Sequence, residues 1–177
     1  MKKLFPFLIA TISLFFSFSL PAQESSQPTL RTVEKVINGG EIVLEGGEVV
    51  RLIGVQAPRK QDAKPGSAAF GWWRRSQEFT SGMVLGRKVW LEYGKVRKDE
   101  EGRTWAYVYF KLDSTQSLGG GGQTPLLTNG TYMLNRLVVR YGMATSGNPF
   151  SFRFRSQFKQ MEQEARQNQT GLFQTGF

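Results

Sequence analysis

The chain of 177 residues contains no cysteine and no histidine. The first absence removes disulfides, thiol nucleophiles and cysteine-ligated metals. The second removes Ser-His-Asp triads, histidine general bases and histidine-bound zinc. Hydrolytic chemistry would have to run on carboxylates, hydroxyls, lysine or arginine. Acidic residues are also scarce: 14 Asp and Glu stand against 23 Lys and Arg, a formal net charge of +9. Such a surplus suits polyanionic partners (nucleic acid, an anionic membrane, an acidic polysaccharide) and equally suits a merely solubilising surface. Hydrophobic content of 40% and charged content of 21% are those of an ordinary globular protein. Internal repeats and coiled-coil heptads are absent.

The order of composition along the chain predicts three parts. Residues 1–22 read as a signal peptide: Lys2 and Lys3 form a positive start, Leu4 to Leu20 an apolar run, and Leu20-Pro21-Ala22 a cleavage point. The rival is an uncleaved anchor, against which stand the modest length of the run and its interruption by Pro6, Thr11, Ser13, Ser17 and Ser19. Export to a periplasm, envelope or medium is the expectation, with no stable membrane span after cleavage. Residues 23–31 are polar and aperiodic and read as a linker. Residues 32–174 make one domain.

Within the domain, Thr32–Ile37 and Glu41–Leu44 are β-favouring runs joined by Asn38-Gly39-Gly40, and Val49–Val55 is a third strand after Gly46-Gly47. Ala68 to Leu85 is predicted as a helix with Phe70, Trp73, Phe79 and Met83 on its apolar side. Arg87–Tyr93 and Thr104–Phe110 are predicted strands around a charged turn. Gly119 to Gly122 lie in a predicted loop whose surroundings match no phosphate-binding motif. Met133, Leu134, Leu137, Val138 and Tyr141 mark a short helix stopped by Gly142, and Ser151 to Gln169 a last helix striped with Phe154, Phe158, Met161 and Ala165. Five strands and three helices predict an α+β fold, a five-stranded OB-type barrel with packed helices.

The motif order resembles the staphylococcal nuclease (thermonuclease) family. Val36–Leu44 is similar to the family's V-I-D-G-D-T strand pair, Val50–Arg59 to R-L-x-G-I-D-A/T-P-E, and Asp99–Tyr109 to D-K-Y-G-R-x-L-A-Y-V-Y. Met133–Ala144 is similar to M-V-N-x-x-L-V-R-x-G-x-A, and Glu162–Phe173 to the closing E-x-x-A-r-x-x-x-x-G-L-W. The resemblance runs from about Thr32 to Phe173. It implies calcium-dependent phosphodiester hydrolysis of DNA and RNA, with two arginines on the scissile phosphate, here Arg51 and Arg103.

The acidic half of that implied site is degenerate. The family's aspartate, aspartate and glutamate fall on Gly40, Gln56 and Arg59, and the aspartate opening D-G-D falls on Asn38. Calcium needs several oxygen ligands, with carboxylates supplying most of the attraction. At an effective dielectric near 20, a divalent ion about 5 Å from one guanidinium feels about 7 kcal/mol of repulsion. No metal or other cofactor is therefore expected, and an arginine cannot serve as base. The sequence predicts a pocket of reversed sign, in which Arg51, Arg103 and Arg59 hold a phosphate or carboxylate without cleaving a bond. Strand alternation predicts that Glu41, next to Gly40, points away from it. Asp62 is a loop acid within reach.

Other candidates for ligand contact are Trp72, Arg74 and Arg75, where one tryptophan of the Trp72-Trp73 pair belongs to the core and the other offers a stacking face. Lys95 and Lys98, with Arg97, could follow a phosphate backbone. Phe150–Arg155 interleaves aromatic and basic residues in the same manner. Three functions remain open from sequence: a silent nuclease-like module, monomeric, that binds nucleic acid or another polyanion; a working nuclease with different ligands; and an envelope or extracellular interaction protein.

Overall fold

A computed structural model describes residues 28–112 and 130–174. The predicted leader, most of the linker and the Gly119–Gly122 loop lie outside the described residues. The elements are β1 (Arg31–Asn38), β2 (Glu41–Leu44), β3 (Glu48–Leu52), β4 (Val55–Gln56), α1 (Ala68–Val84), β5 (Lys88–Lys98), β6 (Thr104–Lys111), β7 (Thr131–Met133), α2 (Leu134–Arg140), β8 (Thr145–Ser146) and α3 (Arg155–Gln167). No described helix is long and apolar enough to cross a membrane.

The strands run β3-β2-β1-β5-β6 and return to the start through a parallel pairing of β3 with β6, which closes a ring of five. Closure leaves no free edge within the ring of five, while β7 adds to β6 beside it. The predicted α+β class and five-stranded barrel with three helices are therefore what the chain forms. Two details were not legible. The third strand stops at Leu52 because Gly54 takes φ +79°, a turn conformation; a Cβ there would lie 2.6 Å from the Phe152 ring. The two-residue strands β4 and β8 pair only with each other, outside the ring. Segments this short carry no periodicity to read.

Helix α1 starts where the Ser67 hydroxyl accepts the Phe70 amide at 3.2 Å and ends before Gly86 at φ +72°. Its buried side differs from the predicted one. Trp72, Ser76, Thr80 and Val84, spaced by four, face inward, while Phe79 and Met83 are only partly covered. Ser76 donates to the Met143 carbonyl (2.6 Å), Thr80 to the Gly39 carbonyl (3.1 Å) and the Gln77 amide to the Val36 carbonyl (2.9 Å). Hydrogen bonds to backbone thus replace apolar contact along this seam, which a hydrophobicity pattern does not register. Gly39 is required here, since a Cβ would sit 1.8 Å from Ser76 Oγ.

Helix α2 is buried along almost its full length. Asn135 is fully buried and its amide ties β6 to the turn that follows β3. Oδ1 accepts the Val108 amide (2.9 Å), and Nδ2 donates to the carbonyls of Ile53 (2.9 Å) and Ala106 (3.1 Å). Helix α3 begins at Arg155, four residues later than predicted, and buries Phe158, Met161 and Ala165.

Candidate functional site

The register of three strands assembles the site. Glu41 of β2 lies directly opposite Arg51 of β3, and Arg51 is beside Trp105 of β6 across the parallel pairing. Cross-strand neighbours share a face, so Glu41, Arg51 and Trp105 come together, with the Arg51 guanidinium carbon 4.3 Å from the Trp105 ring centre. This corrects the prediction for Glu41. Alternation fails because Gly40 belongs to the tight turn between β1 and β2 and not to the strand.

Arg103 arrives from the turn between β5 and β6, which Asp99 organises. Asp99 Oδ1 accepts the backbone amides of Glu101 (3.0 Å) and Arg103 (2.9 Å), and Gly102 takes φ +77° to complete the turn. Asp99 Oδ2 then accepts Arg103 Nε at 2.7 Å and Arg51 Nη1 at 3.2 Å. Burial opposes the Asp99 charge, but the hydrogen bonds from Arg103 and Arg51 outweigh it and hold the carboxyl below its ordinary range. Burial likewise opposes the charge on Arg103, and Asp99, Glu41 and Glu101 reverse that and raise its pKa further.

Glu41 completes the network with 3.1 Å to Arg51 Nε and 3.7 Å to Arg103 Nη1, and Glu101 adds 2.9 Å to Arg103. Arg59 is bound to Asp62 at 2.7 Å in the one-turn helix Lys60–Asp62. The three predicted phosphate-gripping arginines are thus met by four carboxylates: Glu41, Asp62, Asp99 and Glu101. The pocket has not simply changed sign; its cations are held in ion pairs. The closest contacts of those pairs are made by Nε and Nη1 of Arg51 and Arg103. Glu41 and Asp99 are the residues that sequence reasoning missed as site members. The signal for Asp99 was present in the Asp-x-x-Gly-Arg turn, and that for Glu41 lay in its register opposite Arg51.

The resulting hollow of about 310 Å³ is lined by Asn38, Gly40, Gln56, Arg51, Arg59 and Asp62 among others. Its oxygen donors do not fit a calcium ion. Gly40 has no side chain, Gln56 is exposed, and Asn38 Oδ1 is used by the Gly40 amide at 2.8 Å. The two carboxylates present, Glu41 and Asp62, are bound to arginines. Among the described residues no group of three or more Asp and Glu is placed to hold a metal. On one wall Asn148 keeps both side-chain polar atoms buried without a partner.

The other predicted contacts divide. Trp72 is the core tryptophan, 6% exposed, with the Arg75 guanidinium 4.9 Å above its ring. Trp73, half-buried, is the one beside the arginines: it lines a hollow of about 150 Å³ with Arg59 and Arg103, and Lys60 Nζ is 5.5 Å from its ring centre. The expected contact on Trp72 therefore moves to Trp73, one helical step round α1. Arg74 pairs with Glu78 (3.3 Å), and neither it nor Arg75 lines the site. Lys98 donates to the Gly102 carbonyl (3.1 Å) and borders the Arg103 hollow, whereas Lys95 lines a different cleft.

A closed five-stranded ring with helices packed outside it, and two arginines converging beside a tight β1–β2 turn, defines a nuclease-type OB-fold domain. The sequence model described as "Staphylococcal nuclease homologue" matches residues 49–175. The chain belongs to the staphylococcal nuclease family. It is 27% identical over 146 residues to the thermonuclease of Staphylococcus intermedius, covering 80% of this chain and 74% of that one. It is 29% identical over 124 residues to the thermonuclease of Staphylococcus hyicus, covering 62% of this chain and 72% of that one.

Proposed function

We propose that this protein is an exported nuclease-fold module that binds nucleic acid or another polyanion and does not hydrolyse it. The observation that carries this reading is the state of Glu41, whose carboxylate is engaged by Arg51 and Arg103 while Gly40 and Gln56 supply no anionic oxygen. A metal-activated water has neither a cation site nor a base beside it. A phosphate approaching Arg51 and Arg103 would share them with Glu41 and Asp99, so the arginine pair orients the ligand. The surplus charge of the chain, with Lys60 and Lys98 at the rim, supplies the attraction. Export rests on the apolar run after Lys2 and Lys3.

The test is cleavage and binding in parallel. The purified domain would be incubated with single-stranded DNA and RNA in calcium, magnesium, manganese or EDTA, beside Arg51→Ala and Arg103→Ala. The expected result is no product above the mutant background, with binding that weakens steeply as salt rises. Metal-dependent cleavage abolished by either substitution would overturn the reading and turn attention to Asp62. Binding no stronger than that of a scrambled basic peptide would leave a protein-interaction role.

A further inference from the structure

Across Phe150 from the arginine hollow lies a second, open cleft of about 660 Å³, the size of sites that take small organic ligands. Neither Arg51 nor Arg103 lines it. Its walls are the rings of Tyr93, Tyr107, Phe150 and Phe152, over a floor that includes Ile53. The Phe150 and Phe152 rings are held by packing against the core. Phe150 stands edge-on to Trp105 with centroids 5.3 Å apart, and Phe152 packs 5.7 Å from Phe158 in space that Gly54 leaves open. Gly94 keeps the floor clear, since a Cβ there would come 3.0 Å from Ile53 Cδ1. Tyr93 is 41% exposed, with the Arg97 guanidinium 4.4 Å from its centre.

The charges of the cleft are mostly spoken for. Glu92 accepts Arg153 at 2.6 Å and the Tyr109 hydroxyl at 2.8 Å. Lys95 is exposed and has no carboxylate partner among the described residues. What is left is an aromatic slot with one uncompensated ammonium at its mouth. We propose that this cleft binds a planar aromatic group carrying an anionic substituent, the ring between the Tyr93 and Phe150–Phe152 walls and the anion at Lys95. Binding in the cleft stands apart from the polyanion reading, which only a strand as the ligand requires. That chemistry has two sources: a nucleotide unit of a strand crossing Phe150 from the arginine site, or a free aromatic acid.

The probes are anilinonaphthalene sulfonate as a free aromatic anion, a thymidine oligomer, and polyphosphate, which has charge but no rings. The variants are Tyr93→Ala, Lys95→Glu and Ser151→Trp, the last placing a bulky ring at the cleft mouth from an exposed position; circular dichroism checks that each folds. Each variant is expected to weaken sulfonate binding at least tenfold. If Tyr93→Ala and Ser151→Trp also weaken the thymidine oligomer but not polyphosphate, the source is a strand; if the oligomer is unaffected, it is a free acid. Sulfonate affinity within twofold of wild type in all three variants would overturn the proposal. Failure of the polyanion reading would be visible separately, as loss of oligomer and polyphosphate binding in the unmodified protein.

Discussion

Glu41 faces Arg51 across the β2–β3 pairing with Oε1 3.1 Å from Nε, and the same oxygen is 3.7 Å from Arg103. One carboxylate therefore occupies the guanidinium edges that an incoming phosphate would use. Glu41→Gln keeps the shape and removes the competing charge. It is expected to raise polyphosphate affinity about fivefold at low salt, the yield of about 1 kcal/mol in a largely buried ion pair. Titration calorimetry decides it; an unchanged affinity would mean that the arginines take no part in binding.

Restoring the missing acids should restore a cation site. Gly40 has ordinary φ, and its nearest neighbours to a new Cβ are Ala57 and Val55 at 3.4 Å, so an aspartate is accommodated with small adjustments. Gln56 and Arg59 are exposed. The triple change Gly40→Asp, Gln56→Asp, Arg59→Glu is expected to gain a thermal shift of several degrees in millimolar calcium, absent in the unmodified protein. No shift in the triple variant would show that the scaffold, and not just the ligand set, has left the family's metal geometry.

Asn135 holds the amide of Val108 and the carbonyls of Ile53 and Ala106 in a place with no access to solvent. Asn135→Ala strands all three backbone groups. A loss of about 3 kcal/mol is expected from urea melts. A loss under 1 kcal/mol would indicate that the backbone finds other partners.

Gly39 and Ser76 should show compensation. Gly39→Ala drives a methyl onto Ser76 Oγ at 1.8 Å and is expected to destabilise by about 2–3 kcal/mol. Ser76→Ala alone loses only the bond to the Met143 carbonyl. The double variant, with Oγ gone, is expected to be more stable than Gly39→Ala, a coupling a double-mutant cycle measures directly.

Acid stability follows from Asp99 and Glu48. The Thr104 hydroxyl bond is the main cause that lowers Glu48, with help from Arg31 against burial; at Asp99 burial is outweighed by Arg103 and Arg51. Both folded pKa values lie below the unfolded ones, so their contribution is complete above about pH 5 and disappears as pH falls through the lowered values. Melting temperature should drop progressively below about pH 5, and less steeply in Asp99→Asn. Parallel pH profiles for the two proteins would contradict this.

The ring of strands was legible because its runs are rich in β-branched and aromatic residues and its turns carry glycine pairs, as at Gly39-Gly40 and Gly46-Gly47. The seam of α1 was not, because Ser76 and Thr80 are polar by composition and interior by hydrogen bonding. The arginines of the site could be named from motif order alone. Their partners could not: Glu41 reaches Arg51 through sheet register, and Asp99 reaches it from 48 residues away through a turn. Motifs report which groups are present, whereas pairing between elements decides which charges are left uncompensated.

The parallel pairing of β3 with β6 also bears on how the molecule comes to exist. It joins Val50 to Thr104 and Leu52 to Ala106, segments separated by the whole of α1 and β5. Such long-range contacts form late and slowly, because chain entropy must be lost before they contribute. Arg51 and Arg103 meet only through this closure. A nascent or partly unfolded chain therefore carries two distant cations and no site, and ligand recognition itself reports that folding has finished.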